Sequence, residues 1–118
     1  MDLMERSKKL NHMGKIKHNC FGQAEECGEQ ISVYLQFDKG TGNIADVGFD
    51  GANMSFVLRA GMDIVFDHVK GKSLDELKKM DEPALLSASG LDQLDITKRK
   101  VLMLGFRALK NALSSCKG

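Results

Sequence analysis

The stretch EQISVYLQFDKGTGNIADVGF, residues 29–49, decides the predicted fold of this chain. In its first part, apolar side chains alternate with polar or mixed ones. The apolar set is Ile31, Val33, Leu35 and Phe37, and the set between them is Gln30, Ser32, Tyr34 and Gln36. A period of two over nine residues predicts a strand with one buried face.

The loop DKGTGN, residues 38–43, is rich in glycine and asparagine and favours a hairpin. The following run IADVGF, residues 44–49, is then the returning strand. Strict alternation places Ile44, Asp46 and Gly48 on one side of it and Ala45, Val47 and Phe49 on the other. Upstream, residues 14–26 show no sustained period, and we expect extended chain with one further strand there.

Downstream of the hairpin the apolar period becomes helical. Residues 54–69 are apolar around most of a helix, and residues 96–114 carry an apolar stripe of Leu102, Phe106, Leu109 and Leu113. Beside this stripe, Gly105, Ala108 and Ala112 form a small-residue stripe that would let a strand or helix approach closely. Ser73 is a capping residue for a short helix in LDELKKM, and Pro83 favours another in EPALLSAS. A further short helix is expected within residues 1–13.

The order of elements, strands first and helices later, predicts the fold class α+β. We expect a small three-stranded, mainly antiparallel sheet with the helices packed on one face. The length of 118 residues suits a single domain over residues 1–118.

The composition excludes several classes of function. The net charge of +1 gives no general attraction for nucleic acid or for an anionic membrane. Six Phe, one Tyr and no Trp offer little for base stacking. No apolar run approaches the roughly 20 residues of a membrane span. The N-terminus lacks an apolar signal core, so we expect a soluble, cytoplasmic protein.

The three cysteines are Cys20, Cys27 and Cys116. An odd number without a signal peptide argues against a disulfide framework, and we expect free thiols. The chain shows no Ser/His/Asp arrangement and no phosphate loop, so we do not expect an enzyme.

Several strings in order resemble the IscU/NifU N-terminal family of iron–sulfur cluster scaffold proteins. They are NHMGKI with GQAEECGEQISVYLQF, then IADVGFDG, then VKGKSLDEL at 69–77, and KRKVLMLGFRALKNAL at 98–113. The resemblance covers residues 11–113. It implies the SufE/NifU-like fold and a role in iron–sulfur cluster assembly.

The family builds its cluster on three cysteines and an acid. The resemblance places the first cysteine at Cys27 and the acid at Glu29, the second cysteine at Met54 or Ser55, and the third at Val101. Because thiolates supply most ligands of such clusters, we expect that a single subunit does not hold a stable cluster, or iron, on Cys27 and Glu29.

Two hypotheses about function remain open. In the first, Cys27 either accepts sulfur from a cysteine desulfurase, as in SufE-type proteins, or ligates a cluster shared between subunits of a homo-oligomer. Lys100 would then lie beside Cys27 and favour its thiolate. For Cys20 there are two alternatives: it is an ordinary loop cysteine, or the loop folds back so that Cys20 becomes a second ligand. In the alternative, the chain is a docking protein for iron–sulfur assembly partners and binds no cluster. Cys116 is interpreted as an inert cysteine near a frayed end.

Overall fold

The computed structural model describes residues 2–116, which form one three-stranded sheet and five α-helices. The strands are β1 (Cys20–Glu26), β2 (Glu29–Asp38) and β3 (Asn43–Ala52). The helices are α1 (Leu3–Lys8), α2 (Phe56–Val69), α3 (Leu74–Lys79), α4 (Glu82–Ala88) and α5 (Ile96–Ser115), with a 3₁₀ turn at Leu91–Gln93 before α5. The strand order is β1-β2-β3, and both pairs are antiparallel. The predicted α+β architecture is confirmed, and the third strand lies within the predicted segment.

The core lies between the sheet and helices α2 and α5. The apolar residues predicted for β2 are buried, and they join one cluster with side chains from both helices. The helices also approach each other closely, since a Cβ added to Gly105 would overlap Met62 and one added to Gly61 would overlap Leu102. Burial of the apolar side chains of this cluster is the main contribution to the stability of the fold. Among residues 2–116, no helix is both long and apolar enough to span a membrane.

The prediction for β3 is wrong in one respect. Gln36 pairs with Asp46 but Phe37 pairs with Ile44, so the register shifts and Ala45 is left as an extra residue. A β-bulge of this kind changes which side chains share a face. Ile44 is therefore buried in the core together with Val47, although strict alternation put them on opposite sides.

The second face of the sheet is also covered at its centre, so the expectation of one buried face on β2 is incomplete. Tyr34 is 8 % exposed and Ser32 is 7 % exposed, although both point away from the helices. Residues 12–18 run over this face as an irregular segment with several bends, and alternate residues in it are half-buried and exposed. The ring centroids of His18 and Tyr34 are 4.9 Å apart.

The N-terminal segment is anchored by a buried carboxylate on α2. The side chain of Asp63 is fully buried and accepts hydrogen bonds from Arg6 Nε at 2.7 Å and from the backbone N–H of His12 at 2.7 Å. Asp67, one turn later, accepts from Arg6 Nη2 at 2.8 Å. These bonds hold α1 and the start of the irregular segment that follows it against α2.

Candidate functional site

Cys27 lies at the tip of the β1–β2 hairpin. Glu26 pairs with Glu29, so the connection has only two residues, Cys27 and Gly28. Their φ values are +51° and +83°, which identify a type I′ turn. A cysteine with positive φ is uncommon. The turn presents Cys27 to solvent, and Cys27 is an exposed, free cysteine.

Glu29 links this turn to the start of α2. Its Oε1 accepts a hydrogen bond at 2.8 Å from the backbone N–H of Ser55. Ser55 is the N-cap of α2, and its Oγ accepts from the N–H of Leu58 at 3.2 Å. Asn53 Nδ2 adds a bond of 3.2 Å to the carbonyl oxygen of Gly28. The hairpin tip and the loop before α2 are therefore tied together by two polar contacts.

The first turns of α5 close the site on its other side. A cavity of about 190 Å³ is lined by Glu26, Cys27, Glu29, Lys100, Val101 and Leu104. The positions that the resemblance assigns to the family's first cysteine, its acid and its third cysteine therefore line one cavity. Ser55 lies beside Glu29, and Met54 is half-buried against the core.

The charges around the cavity are mixed. Lys100 shares the cavity with Cys27, as the resemblance implies. Glu26 contributes a carboxylate that accepts from Arg107 Nη2 at 3.3 Å, in a pair whose side chains are both more than half exposed. An exposed pair of this kind adds little stability but fixes two side chains beside the hairpin.

The side chains with possible donor atoms at the site are the thiol of Cys27 and the carboxylates of Glu26 and Glu29. Within residues 2–116, no group of three or more His, Cys, Asp or Glu side chains is arranged to hold a metal ion. Val101 is apolar and cannot ligate iron, and one oxygen of Glu29 already accepts from Ser55.

The expectation of three free thiols is wrong, because Cys20 and Cys116 form a disulfide. Cys20 is the first residue of β1 and Cys116 follows the last turn of α5, and their Cα atoms are 5.1 Å apart. Both are almost completely buried, so Cys116 does not lie on a frayed end. The separation of 96 residues gives no local pattern from which the pair could have been found.

The disulfide also excludes Cys20 as a second ligand beside Cys27. Cys20 is the first residue of β1 and Cys27 follows its last residue, Glu26, so the strand between them spans about 20 Å at roughly 3.4 Å per residue. Strand pairing with β2 along the whole of β1 prevents the segment from folding back.

Comparison with known proteins agrees with this geometry. The sequence model of the family described as "NifU-like N terminal domain" matches residues 1–118. A search of curated proteins gave no match. Among solved structures, a protein of Fervidobacterium islandicum AW-1, described as a candidate iron–sulfur cluster assembly scaffold for the SUF system, has a TM-score of 0.65 at 20 % identity. The alignment covers 94 % of this chain and 93 % of that one.

Two further structures have the same fold. The N-terminal part of a nitrogen-fixing NifU-like protein from Brucella abortus has a TM-score of 0.69 at 15 % identity, with 96 % and 90 % of the two chains covered. A protein without an assigned function has a TM-score of 0.69 at 24 % identity, with 95 % and 93 % covered. The resemblance found in the sequence is confirmed, and the chain belongs to the NifU-like N-terminal domain family.

Proposed function

We propose that this chain acts in iron–sulfur cluster assembly and that Cys27 is its sulfur-accepting thiol. The family supports the general role, and so does the scaffold assigned to the SUF system among the solved structures of this fold. The observation that carries the specific role is the position of Cys27, exposed at the tip of a two-residue turn and beside the cavity that Lys100 lines. The chain would be a carrier or scaffold rather than an enzyme.

The chemistry requires one nucleophile. The Cys27 thiolate attacks the outer sulfur of a persulfide on a cysteine desulfurase, and the desulfurase cysteine leaves as a thiolate. One S–S bond breaks and one forms, so Cys27 becomes a persulfide without net oxidation or reduction. Lys100 lines the same cavity and brings a positive charge to it, as is found around reactive cysteines.

The shape of the site suits a partner that brings its sulfur on a loop. The turn projects beyond the paired ends of β1 and β2, so an approaching persulfide meets Cys27 before it meets the core. The cavity beside the turn leaves space between Cys27 and the first turns of α5. The acids Glu26 and Glu29 would select a partner surface that carries positive charge.

A second candidate is a docking protein that binds no cluster. It is favoured by the bond between Glu29 and the N–H of Ser55, which gives the acid a role in holding the hairpin against α2. Val101, at the position that the resemblance assigns to the third cysteine, also favours a docking protein because its side chain cannot ligate iron. In this case the partner surface would be retained and Cys27 would have no chemical role.

The deciding experiment measures sulfur on each cysteine. The variant Cys20→Ser/Cys116→Ser has Cys27 as its only thiol, and Cys27→Ser is its matched counterpart. Each protein is incubated with a cysteine desulfurase and free cysteine, and its mass is measured without reductant. We expect the wild type and the double variant to gain about 32 Da, which reductant removes, and Cys27→Ser to gain nothing.

The Lys100→Ala variant should accept sulfur more slowly while its mass gain at completion stays the same. Binding of the desulfurase without any gain of sulfur on Cys27 would overturn the acceptor role and support the docking protein.

A further inference from the structure

The disulfide between Cys20 and Cys116 closes one end of a long contact between β1 and α5. At the hairpin end, Arg107 of α5 donates to Glu26. Farther along, Asn111 Nδ2 donates to the carbonyl oxygen of Gln23 at 2.9 Å. Next, the N–H of Phe21 donates to Ser115 Oγ at 2.9 Å.

The contacts on α5 recur at every fourth residue, so they lie on one face of the helix. Gly22 allows this approach, because an added Cβ would overlap the backbone of Ala108 and Ala112. The side-chain contacts are all partly or fully exposed, and each is individually weak. The disulfide is the only covalent member of the series, and it joins residues that are 96 apart in sequence.

We propose that the Cys20–Cys116 disulfide is a redox-controlled lock that holds the C-terminal half of α5 on β1. In the oxidised state the helix is fixed at its end, and in the reduced state only the weak side-chain contacts and apolar packing hold it. The same helix supplies Lys100 and Val101 to the cavity beside Cys27. The proposal does not depend on sulfur transfer by Cys27.

The reductant is a dithiol, and the structure indicates where it would attack. Both cysteines are almost completely buried, but a cavity of about 330 Å³ reaches Cys20 and not Cys116, and its other lining residues are Asn19, Phe37, Lys39 and Ser115. A thiolate of the dithiol attacks the sulfur of Cys20, and Cys116 leaves as a thiolate. The second thiol of the reductant then attacks the mixed disulfide and releases Cys20. The S–S bond of the protein is lost, two thiols form, and the dithiol becomes a disulfide.

Reduction would loosen the helix because of the long loop that the bond closes. A cross-link between distant residues restricts the unfolded and partly unfolded states, and the effect grows with loop length. Without it, opening of the last turns of α5 is opposed mainly by local packing, and terminal turns open readily when they are not tied down.

The first measurement counts thiols. The full chain is purified in air, unfolded in denaturant without reductant, and alkylated with a maleimide whose adducts are counted by mass. We expect one adduct, on Cys27, and three after treatment with dithiothreitol. Three adducts before reduction would overturn the proposal, because the disulfide would not exist in solution.

The second measurement follows hydrogen exchange of the amides of residues 107–116, with and without dithiothreitol. We expect reduction to speed exchange there by at least about tenfold in the wild type, with a much smaller change in β2. The variant Cys20→Ala/Cys116→Ala should exchange like the reduced wild type and should not respond to dithiothreitol. The control Cys27→Ala should respond as the wild type does.

If the amides of residues 107–116 exchange at equal rates in the oxidised and reduced wild type, the proposed lock is wrong, even if Cys27 accepts sulfur. Conversely, a lock that responds to dithiothreitol would stand even if Cys27 accepts none. If the double variant fails to fold, the comparison of oxidised and reduced wild type decides alone.

Discussion

The Oε1 atom of Glu29 lies 2.8 Å from the backbone nitrogen of Ser55 and accepts its hydrogen bond. The resemblance assigns Glu29 to the position of the family's acid, and it assigns Ser55 or Met54 to the position of its second cysteine. In this chain the acid is thus used to join the hairpin to the N-cap of α2. A carboxylate at a helix N-terminus is also favoured by the helix dipole.

Replacing Glu29 by alanine should weaken this junction. We expect Glu29→Ala to lower the free energy of unfolding by about 1 kcal/mol, because the N–H of Ser55 loses its acceptor. Glu29→Gln keeps an acceptor oxygen and should lose about half as much. Urea unfolding followed by circular dichroism measures both. Equal stability of Glu29→Ala and the wild type would show that water replaces the carboxylate without cost.

The wild type should not hold a stable cluster in a single subunit. Anaerobic reconstitution with iron and sulfide is expected to give little visible absorbance per chain, since Cys27 is the only thiol at a family ligand position. Introducing cysteines at the other two family ligand positions should allow a single chain to hold a cluster. We expect either Met54→Cys/Val101→Cys or Ser55→Cys/Val101→Cys to gain a cluster, and the better of the two identifies the second position.

One stable cluster per wild-type chain would contradict this prediction. Determination of molecular mass on the same sample would then show whether two chains share the cluster.

Arg6 should matter much more to stability than an exposed arginine. Arg6→Ala removes the ion pair of a fully buried carboxylate, Asp63, and we expect a loss of about 3 kcal/mol. The matched control is Arg107→Ala, which breaks the exposed pair with Glu26 and should cost less than about 0.5 kcal/mol. Chemical denaturation of both variants provides the comparison. Similar losses in the two variants would mean that backbone N–H donors alone satisfy Asp63.

The free energy of unfolding should decrease as the pH falls, in part because Asp67 becomes protonated. Burial acts to raise the pKa of Asp67, but the hydrogen bonds from Arg6 and His12 outweigh it, and the pKa is lowered in the folded state. A lowered folded-state pKa means that this contribution is present above the unfolded pKa of about 4 and is lost as the pH falls through the folded value.

The wild type should therefore lose more stability than Asp67→Asn between about pH 5 and pH 3. Because Asp67 is partly exposed, the difference should stay below about 1 kcal/mol. Urea unfolding at several pH values measures both curves. Parallel curves for the two proteins would show that the interactions of Asp67 do not favour its ionised form.

Much of the fold could be read from local patterns. The alternation in β2 follows from burial of every second side chain, and Ser73 caps α3 through a bond of 3.1 Å to the N–H of Glu76. The two-residue turn that exposes Cys27 was found only in the structure, because residues 14–26 show no sustained period. The approach of Lys100 to Cys27 required the family resemblance, because nothing local relates residues so far apart.

By itself the sequence determined the elements, their order and the small-residue stripe on α5, because each of these depends on side chains within a few turns or strand steps. Only the tertiary structure decided the bulge at Ala45, the covering of the second face of the sheet, the burial of Asp63 and the pairing of Cys20 with Cys116. Periodicity records whether a side chain is buried, but it does not record which distant residue covers it. That choice depends on how β1, α2 and α5 pack together, and so on contacts between residues far apart in the chain.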